Sequence, residues 1–422
     1  MNKIEKFVYD ILKKTPWIKL AVRNVYQKIF DVLPRKKNYS ISPIEIKEGY
    51  FFGFHDISPF SNDGNRILAN CPPFNDHMPQ KGDPLKIGFF DFKDGKFGKF
   101  TELGISYSWN FHKGCRMQWL NQECVIYNTI SKGNMVSQIT NINSLQSRML
   151  DFPIDSISKN GTLASSFSYE RLEKYMPGYG YPYKDSYSFI ENKAPNETGM
   201  YLIDMKNNSR KLIVSLSDLF KMVRDEENAT FGYHYVTHSE FSQDNKYLSF
   251  LHRWVGKDTR KRYTRLIIYD LQKKTYFSAP TGNMVSHYVW NDLNQIIAYC
   301  NFKGIDCHAL IDVENINNSK IIGYPTLNSD GHQSFVNNKA FVTDTYPDKY
   351  RMAKLFYVNM DTDEIKLLAS LYSPEKFQSK SSYGHIACDL HPRVSHDGKF
   401  VCFDTVHTGK RSLAVMPLNI YS

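Results

Sequence analysis

From about residue 42 onward the chain alternates short apolar runs with polar punctuation. The runs include Arg66-Ile67-Leu68-Ala69, Ile87-Gly88-Phe89-Phe90, Val125-Ile126-Tyr127, Met200-Tyr201-Leu202-Ile203, Leu266-Ile267-Ile268-Tyr269 and Ile296-Ile297-Ala298-Tyr299. Gly, Asn, Asp and Pro bound them, which predicts β-strands joined by tight turns. No helical period repeats between the strands, which argues against a parallel βαβ sheet.

One motif recurs along this stretch: a small polar residue, then Asp or Asn, then Gly or Asn, then an apolar strand. Its clearest copies are Ser395-His396-Asp397-Gly398 before Phe400-Val401-Cys402-Phe403, and Ser242-Gln243-Asp244-Asn245 before Tyr247-Leu248-Ser249-Phe250. Related turns start at Ser61, Trp119, Ser158, Asn291 and Val336, making seven. They recur every 40–85 residues or so, near the repeat length of propeller blades with some long loops. Each turn would join the first and second strands of a blade. The last copy leaves about 30 residues, room for about three strands. Residues 42–52 would then supply the fourth and close the ring, removing the open edge. The expected fold is all-β, a seven-bladed β-propeller over residues 39–422. Residues 170–198 and 218–236 are expected as loops over one face.

Residues 1–38 read differently. Ile4, Phe7, Val8 and Ile11 share one helical face, and Ile18, Val22, Val25 and Ile29 another, with Pro16 between them. Residues 1–37 hold ten basic and three acidic residues, so this short helical arm carries seven of the ten net positive charges. A basic amphipathic arm suits peripheral contact with an anionic membrane surface, and its apolar faces equally suit packing on the body. The body itself is weakly basic, which argues against nucleic-acid binding.

Composition adds two points. Aromatic residues reach 14%, favouring strands and carbohydrate sites. The seven cysteines are scattered without CxxC spacing, which points to free thiols and a cytoplasmic protein. No apolar run approaches the roughly 18 residues of a membrane span, and the N-terminus shows no secretory h-region.

The candidate chemistry is histidine. His238, His287, His332 and His391 each stand four residues before a turn. In a propeller the first strand of each blade lines the central channel, so equal register brings the four rings to similar depth around one axis. Four buried imidazoles each need a polar partner. Converging, they suit a metal site or a general base. The offset occurs in the last four repeats and in none of the first three, so the centre is expected to be built by the C-terminal half. Neighbouring charged and aromatic residues suggest a cationic, aromatic pocket for an acidic sugar. Candidate substrate-binding residues are His55, Trp109, Arg171, Tyr179, Tyr181, Trp254, Asp330, Asp389 and Arg411.

His287-Tyr288-Val289-Trp290 and Cys388-Asp389-Leu390-His391-Pro392-Arg393-Val394-Ser395 resemble segments of the oligogalacturonate lyase family. That resemblance covers mainly residues 230–405. It implies a seven-bladed propeller holding manganese on three histidines and a glutamine, with a further histidine as base for β-elimination. By resemblance His287 and His391 would be metal ligands and His238 the base. Cys388 stands where the family has its glutamine and Arg393 where it has its last histidine, leaving His332 as a substitute ligand or Arg393 as a substitute charge. The Arg-Trp, Ser-His-Tyr, Asp-Gly-His and Asp-Thr-Tyr-Pro-Asp segments also resemble uncharacterised proteins encoded with bacterial surface-polysaccharide genes.

The expected function is therefore lyase-like cleavage of a uronate-containing oligosaccharide or polysaccharide. β-Elimination needs a neutralised carboxylate, a base for the C5 proton and a proton donor to the leaving oxygen. Arg253, Arg393 or a divalent metal on His287, His332 and His391 would neutralise the carboxylate. His238 would be the base, and Tyr288 or Tyr346 the donor. Two other readings stay open: a glycosyltransferase or hydrolase of surface-polysaccharide assembly, acting at the inner face of the membrane, and a glycan-binding propeller without catalysis.

Overall fold

The computed structural model describes residues 34, 36–226, 228–255, 262–378 and 386–419. The helical arm expected over residues 1–38 lies almost wholly outside them.

Seven antiparallel sheets follow one another along the chain, as seven turns predict. Blade 4 shows the plan in full: Tyr233–Phe241, Tyr247–Val255, Arg262–Asp270 and Thr275–Ser278, each hydrogen-bonded to the next. Its second strand is buried along its whole length, because both of its faces pack in the interior. Blades 5 and 2 repeat the four-stranded order. In blades 1 and 3 the innermost segment is irregular and touches its sheet only through isolated bridges, Phe51 to Asn70, Phe60 to Ile67, and Ile157 to Ala164.

The recurring motif has a concrete cause. In four turns the serine hydroxyl donates to the carboxylate or amide two residues on: Ser61 to Asp63 (2.6 Å), Ser158 to Asn160 (2.8 Å), Ser242 to Asp244 (2.7 Å) and Ser395 to Asp397 (2.7 Å). The same oxygen accepts the N–H that opens the next strand, as Phe400 donates to Ser395 at 3.0 Å. The residue after the acid or amide turns left-handed, at φ +71° for Gly64 and Gly398 and +59° for Asn245. Only Gly and Asn enter that region cheaply, which fixes the motif's last position.

Closure follows the expected route. Glu45–Glu48 pairs antiparallel with Ser412–Pro417, with Glu45 opposite Val415 and Glu48 opposite Ser412. Glu45–Glu48, from the N-terminal side of the ring, thus supplies the outer strand of the last blade. Tyr39–Ser40 adds a fifth strand to the edge of blade 6, opposite Ser370 and Ala369. The two long interruptions lie mostly outside the sheets and each carries a short helix, but residues 233–236 belong to the first strand of blade 4. Tyr169–Tyr175 is capped by the hydroxyl of Ser168, and Leu216–Lys221 by that of Ser215. Among the described residues no helix is long and apolar enough to cross a membrane.

Candidate functional site

Six imidazoles, two from inner strands and four from turns or segments just ahead of strands, gather around one aromatic ring. Phe54 is 3% exposed and has ring contacts with His55 (4.6 Å), His238 (4.7 Å), His391 (5.1 Å), His112 (5.5 Å), His287 (5.8 Å) and His332 (5.9 Å between centroids). His287 and His332 lie 4.0 Å apart, and His332 and His391 4.2 Å. The four register-matched histidines do converge. The expected lopsidedness is corrected: His55 from blade 1 and His112 from blade 2 complete the circle.

Backbone irregularity aims two of these rings. His238 sits where the strand register of blade 4 shifts, at φ +53°, and His391 stands at φ +44°. A histidine in the left-handed region is uncommon outside turns, and such strain collects where a side chain must be re-aimed.

The Nδ1 atoms are anchored. That of His332 meets Asp344 at 2.9 Å, that of His287 meets Asp330 at 3.2 Å, that of His55 meets the Gln333 carbonyl at 2.9 Å, and that of His238 meets the Thr237 hydroxyl at 2.8 Å. The Nε2 atoms of His55, His238, His332 and His391 are buried without a hydrogen-bond partner. Burial, aided by neighbouring imidazoles and cations, holds His55, His238 and His391 well below the ordinary histidine range. His332 goes the other way: Asp344, with Asp389 and Asp330, outweighs burial and raises it. Burial lifts the Asp389 carboxyl to about 6.

Beside this ring runs a buried ionic network that the sequence did not reveal. Lys113 donates to Asp155 at 2.8 Å, and Arg116 grips Asp56 through both Nη atoms at 2.8 and 2.9 Å. Asp155 also accepts the N–H and hydroxyl of Ser239, both at 2.8 Å. Burial opposes its charge, but Arg116 and Lys113 win and hold Asp155 well below the carboxylate range. Glu240 has no such partner, and burial with Asp56 nearby raises it far above that range. A cavity of about 400 Å³ opens on the face that carries the turns, lined among others by Asn62, Trp119, Lys159, Gln243, Asn291 and His396. His55, Asp56, Glu240 and Arg393 also line it.

Several predicted site residues prove to be structural. Arg171 spends its guanidinium on the carbonyls of His234, Ser188, Phe189, Asn192 and Lys193, pinning the long loop. Arg411 donates to Ile386 O at 2.7 Å and lies 4.4 Å over Phe111. Arg393 donates to Gly53 O at 2.6 Å and pairs with Asp404 at 3.2 Å, so its charge is already matched inside the fold. Trp109 bonds the Asp83 carbonyl within the core. Tyr181 stacks on Tyr169, and Trp254 packs with Val223 and Ala229. The Tyr288 hydroxyl donates to the carbonyl of His238, so it has no proton free to give. Cys388, at the position of the family's glutamine, is buried against Phe377 and Val406.

Others stay at the site. Tyr179 covers His112 (4.1 Å) and His238 (5.8 Å). Tyr346 is 42% exposed and lies 5.7 Å from His332. Arg253 donates weakly, to Met176 Sδ at 3.2 Å and Ser286 O at 3.3 Å, and its buried Nε has no partner. The predicted metal trio is changed: among the described residues, the set whose ligand atoms all fall within 4.8 Å of one another is His112, Asp389 and His391. An unpartnered Asp389 Oδ2 and His391 Nε2 within that set fit a divalent cation, since two imidazoles and a carboxylate suit borderline and hard ions alike.

An oligogalacturonate lyase in complex with manganese superposes with a TM-score of 0.63 at 13% identity, covering 92% of this chain and 97% of that one. A second oligogalacturonate lyase, from Vibrio parahaemolyticus, gives 0.59 at 9% identity, covering 92% and 99%. The tricorn protease gives 0.52 at 10% identity, over 92% of this chain but 34% of its own. At these identities the likeness establishes the seven-bladed fold, shared with the lyases over nearly their whole length. No protein-family model matches the chain, and no curated protein matches it in sequence.

Proposed function

We propose that this propeller is a lyase-like enzyme that cleaves an acidic, uronate-containing glycan by β-elimination at its histidine ring. The observation that carries the reading is the state of the ring. His55 and His238 are tied down through Nδ1, kept neutral by burial, and left with unpartnered Nε2 atoms, with a potential metal-ligand set nearby. A neutral, oriented imidazole is what proton abstraction at C5 requires. The fold shared with two oligogalacturonate lyases supports the substrate class.

In this reading His238 takes the C5 proton. Arg253, whose buried Nε has no partner and whose Nη contacts are to Met176 Sδ and Ser286 O, receives the carboxylate. Tyr346, exposed above His332, gives the proton to the leaving oxygen. Asp330 and Asp344 hold His287 and His332 in one tautomer, as acceptors of their Nδ1–H. His112, Asp389 and His391 would hold a divalent cation, manganese by analogy, whose charge would acidify the C5 proton by drawing on the carboxylate. Seven free cysteines support a cytoplasmic site of action.

The test is an assay of unsaturated uronate product across pectic, alginate-like and glycosaminoglycan-like oligosaccharides, with His238→Ala as control. No product from any of them, with binding retained, leaves the second reading. That reading, a glycan-binding propeller without catalysis, draws on the internal commitment of Arg171, Arg393 and Arg411.

A further inference from the structure

The two faces of the propeller differ in what reaches them. In each blade the recurring turn joins the first and second strands on the turn side. The connection from the second strand to the third therefore lies on the opposite side, and so does the passage to the next blade. Tyr346 belongs to that opposite side. It stands between the second and third strands of blade 6, Ala340–Asp344 and Met352–Asn359, and lies 5.7 Å from His332. This side is the mouth of the histidine ring.

The N-terminal segment joins the body at the rim of that mouth. Tyr39–Ser40 pairs antiparallel with the last strand of blade 6, Ile365–Tyr372, with Tyr39 opposite Ser370. That strand runs from the turn side to the mouth side, so the chain before Tyr39 leads toward the mouth. The contacts agree. Asn38 Oδ1 accepts the Tyr372 N–H at 2.8 Å. The Lys36 ammonium lies 4.0 Å over the ring of Tyr350, in the same connection as Tyr346. Residues 1–37 hold ten basic and three acidic residues, with apolar positions at helical spacing. That composition suits a segment lying in an anionic lipid surface.

A second observation comes from the folded body. Tyr107, Phe189, Phe231 and Tyr324 are 38–55% exposed, each in a different connection of the mouth side. Among the described residues, the large apolar side chains exposed on the turn-side connections are Leu145, Leu293 and Ile316, none of them aromatic. Aromatic rings favour the headgroup level of a bilayer. A sugar would need stacking rings side by side, and these four come from four separate connections.

We infer that the mouth side of the propeller lies against an anionic lipid bilayer, held by residues 1–37 and by these four aromatic residues, and that the glycan it takes is one carried at that surface. The second half rests on the lyase reading, and the docking does not. A ring that opens toward a bilayer is screened from glycans free in bulk water. It is set at headgroup level, where a glycan attached to lipid begins.

Full-length protein and vesicles test this. Vesicles of phosphatidylcholine mixed equally with phosphatidylglycerol should bind about tenfold or more tightly than phosphatidylcholine alone in co-sedimentation, and the advantage should shrink as salt rises. Lys13→Glu with Lys14→Glu and Lys28→Glu, in the full chain, should remove most of that advantage. Phe231→Ser should weaken binding about threefold or more. Hydrogen exchange reads the orientation. Mixed vesicles should slow the backbone amides of residues 228–232, 323–330 and 345–350, while the turns at Ser61, Ser242 and Asn291 keep their rates. Equal binding to both vesicle types, a charge-reversed variant that binds like the wild type, or slowing on the turn side overturns the proposal. Slowing of the mouth-side connections by a uronate oligosaccharide or by protein concentration alone, with no effect of vesicles, gives the surface to a glycan or to a second copy and overturns it equally. None of these readouts uses cleavage. A protein that docks but cleaves nothing keeps the bilayer face and loses the lyase reading, and one that cleaves without docking does the reverse.

Discussion

Asp344 holds His332 by two bonds at once, accepting its backbone N–H at 2.7 Å and its ring Nδ1 at 2.9 Å. Its second oxygen accepts the backbone N–H of His391 at 2.9 Å, across the boundary between blades 6 and 7. One carboxylate thus sets the position of two imidazoles. Asp344→Ala should cost about 3–5 kcal/mol, because two buried N–H groups and an imidazole lose their acceptor. Thermal unfolding measures that loss, and NMR titration should find His332 moved from above to below the ordinary histidine value. A His332 that titrates unchanged would mean that Asp344 does not govern it.

Phe54 fills the middle of the histidine ring. Phe54→Ala should destabilise by about 3–5 kcal/mol through cavity formation. It should also raise the pKa of His55, His238 and His391 toward the ordinary range, since burial is the main cause of their depression. Histidine NMR titration reads both effects in one sample. Phe54→Leu should show smaller shifts of the same sign.

Metal content distinguishes two ligand sets. Purified protein loaded with manganese and passed through desalting should retain the ion in the wild type. His112→Ala, Asp389→Ala and His391→Ala should each abolish retention, while His287→Ala should leave at least half. Loss of retention in His287→Ala, with His112→Ala unaffected, would restore the ligand set expected from the sequence.

Glu173 gives a pH signature. Its carboxylate accepts the N–H groups of Gly178 and Gly180, yet burial pushes it up to about 7 from 4.5. An acid raised on folding binds more protons folded than unfolded across that window. Its stabilising contribution is whole below about pH 4.5 and fades as pH rises through about 7. Glu173→Gln should flatten this part of the stability profile by an amount on the order of 2 kcal/mol, allowing for solvent screening. Denaturant unfolding at several pH values checks it.

The blades were legible because their signal is local. The Ser61, Ser158, Ser242 and Ser395 turns are each closed by atoms two to five residues apart, so sequence spacing alone reveals them. His238, His287, His332 and His391 were legible because each of these blades keeps the same four-residue offset between histidine and turn, even where the backbone is irregular, as at His238 and His391. His55 and His112 escaped that rule because the inner segments of blades 1 and 2 are irregular or short, which changes the count. The Lys113–Asp155 pair joins residues 42 apart in the chain, and nothing in the spacing marks it. Arg171 and Arg411 read as binding residues, and Arg393 as a charge that neutralises the carboxylate, because arginine suits anions. Their actual partners are mainly backbone carbonyls, which leave no trace in side-chain patterns.

The pairing of Glu45–Glu48 with Ser412–Pro417 has a consequence for how the molecule is made. Contacts of this kind join residues far apart in the chain: Lys410 and Glu48 are 362 residues apart, and Asn419 and Ser42 377. A ribosome would release the latch segment long before its receptor strand exists. Throughout synthesis the nascent ring would carry an unmatched edge, the kind of edge on which chains associate. The final strands do more than finish a blade: they turn an open, sticky arc into a sealed circle, and any slowing of the ribosome near the end would lengthen the interval of greatest risk.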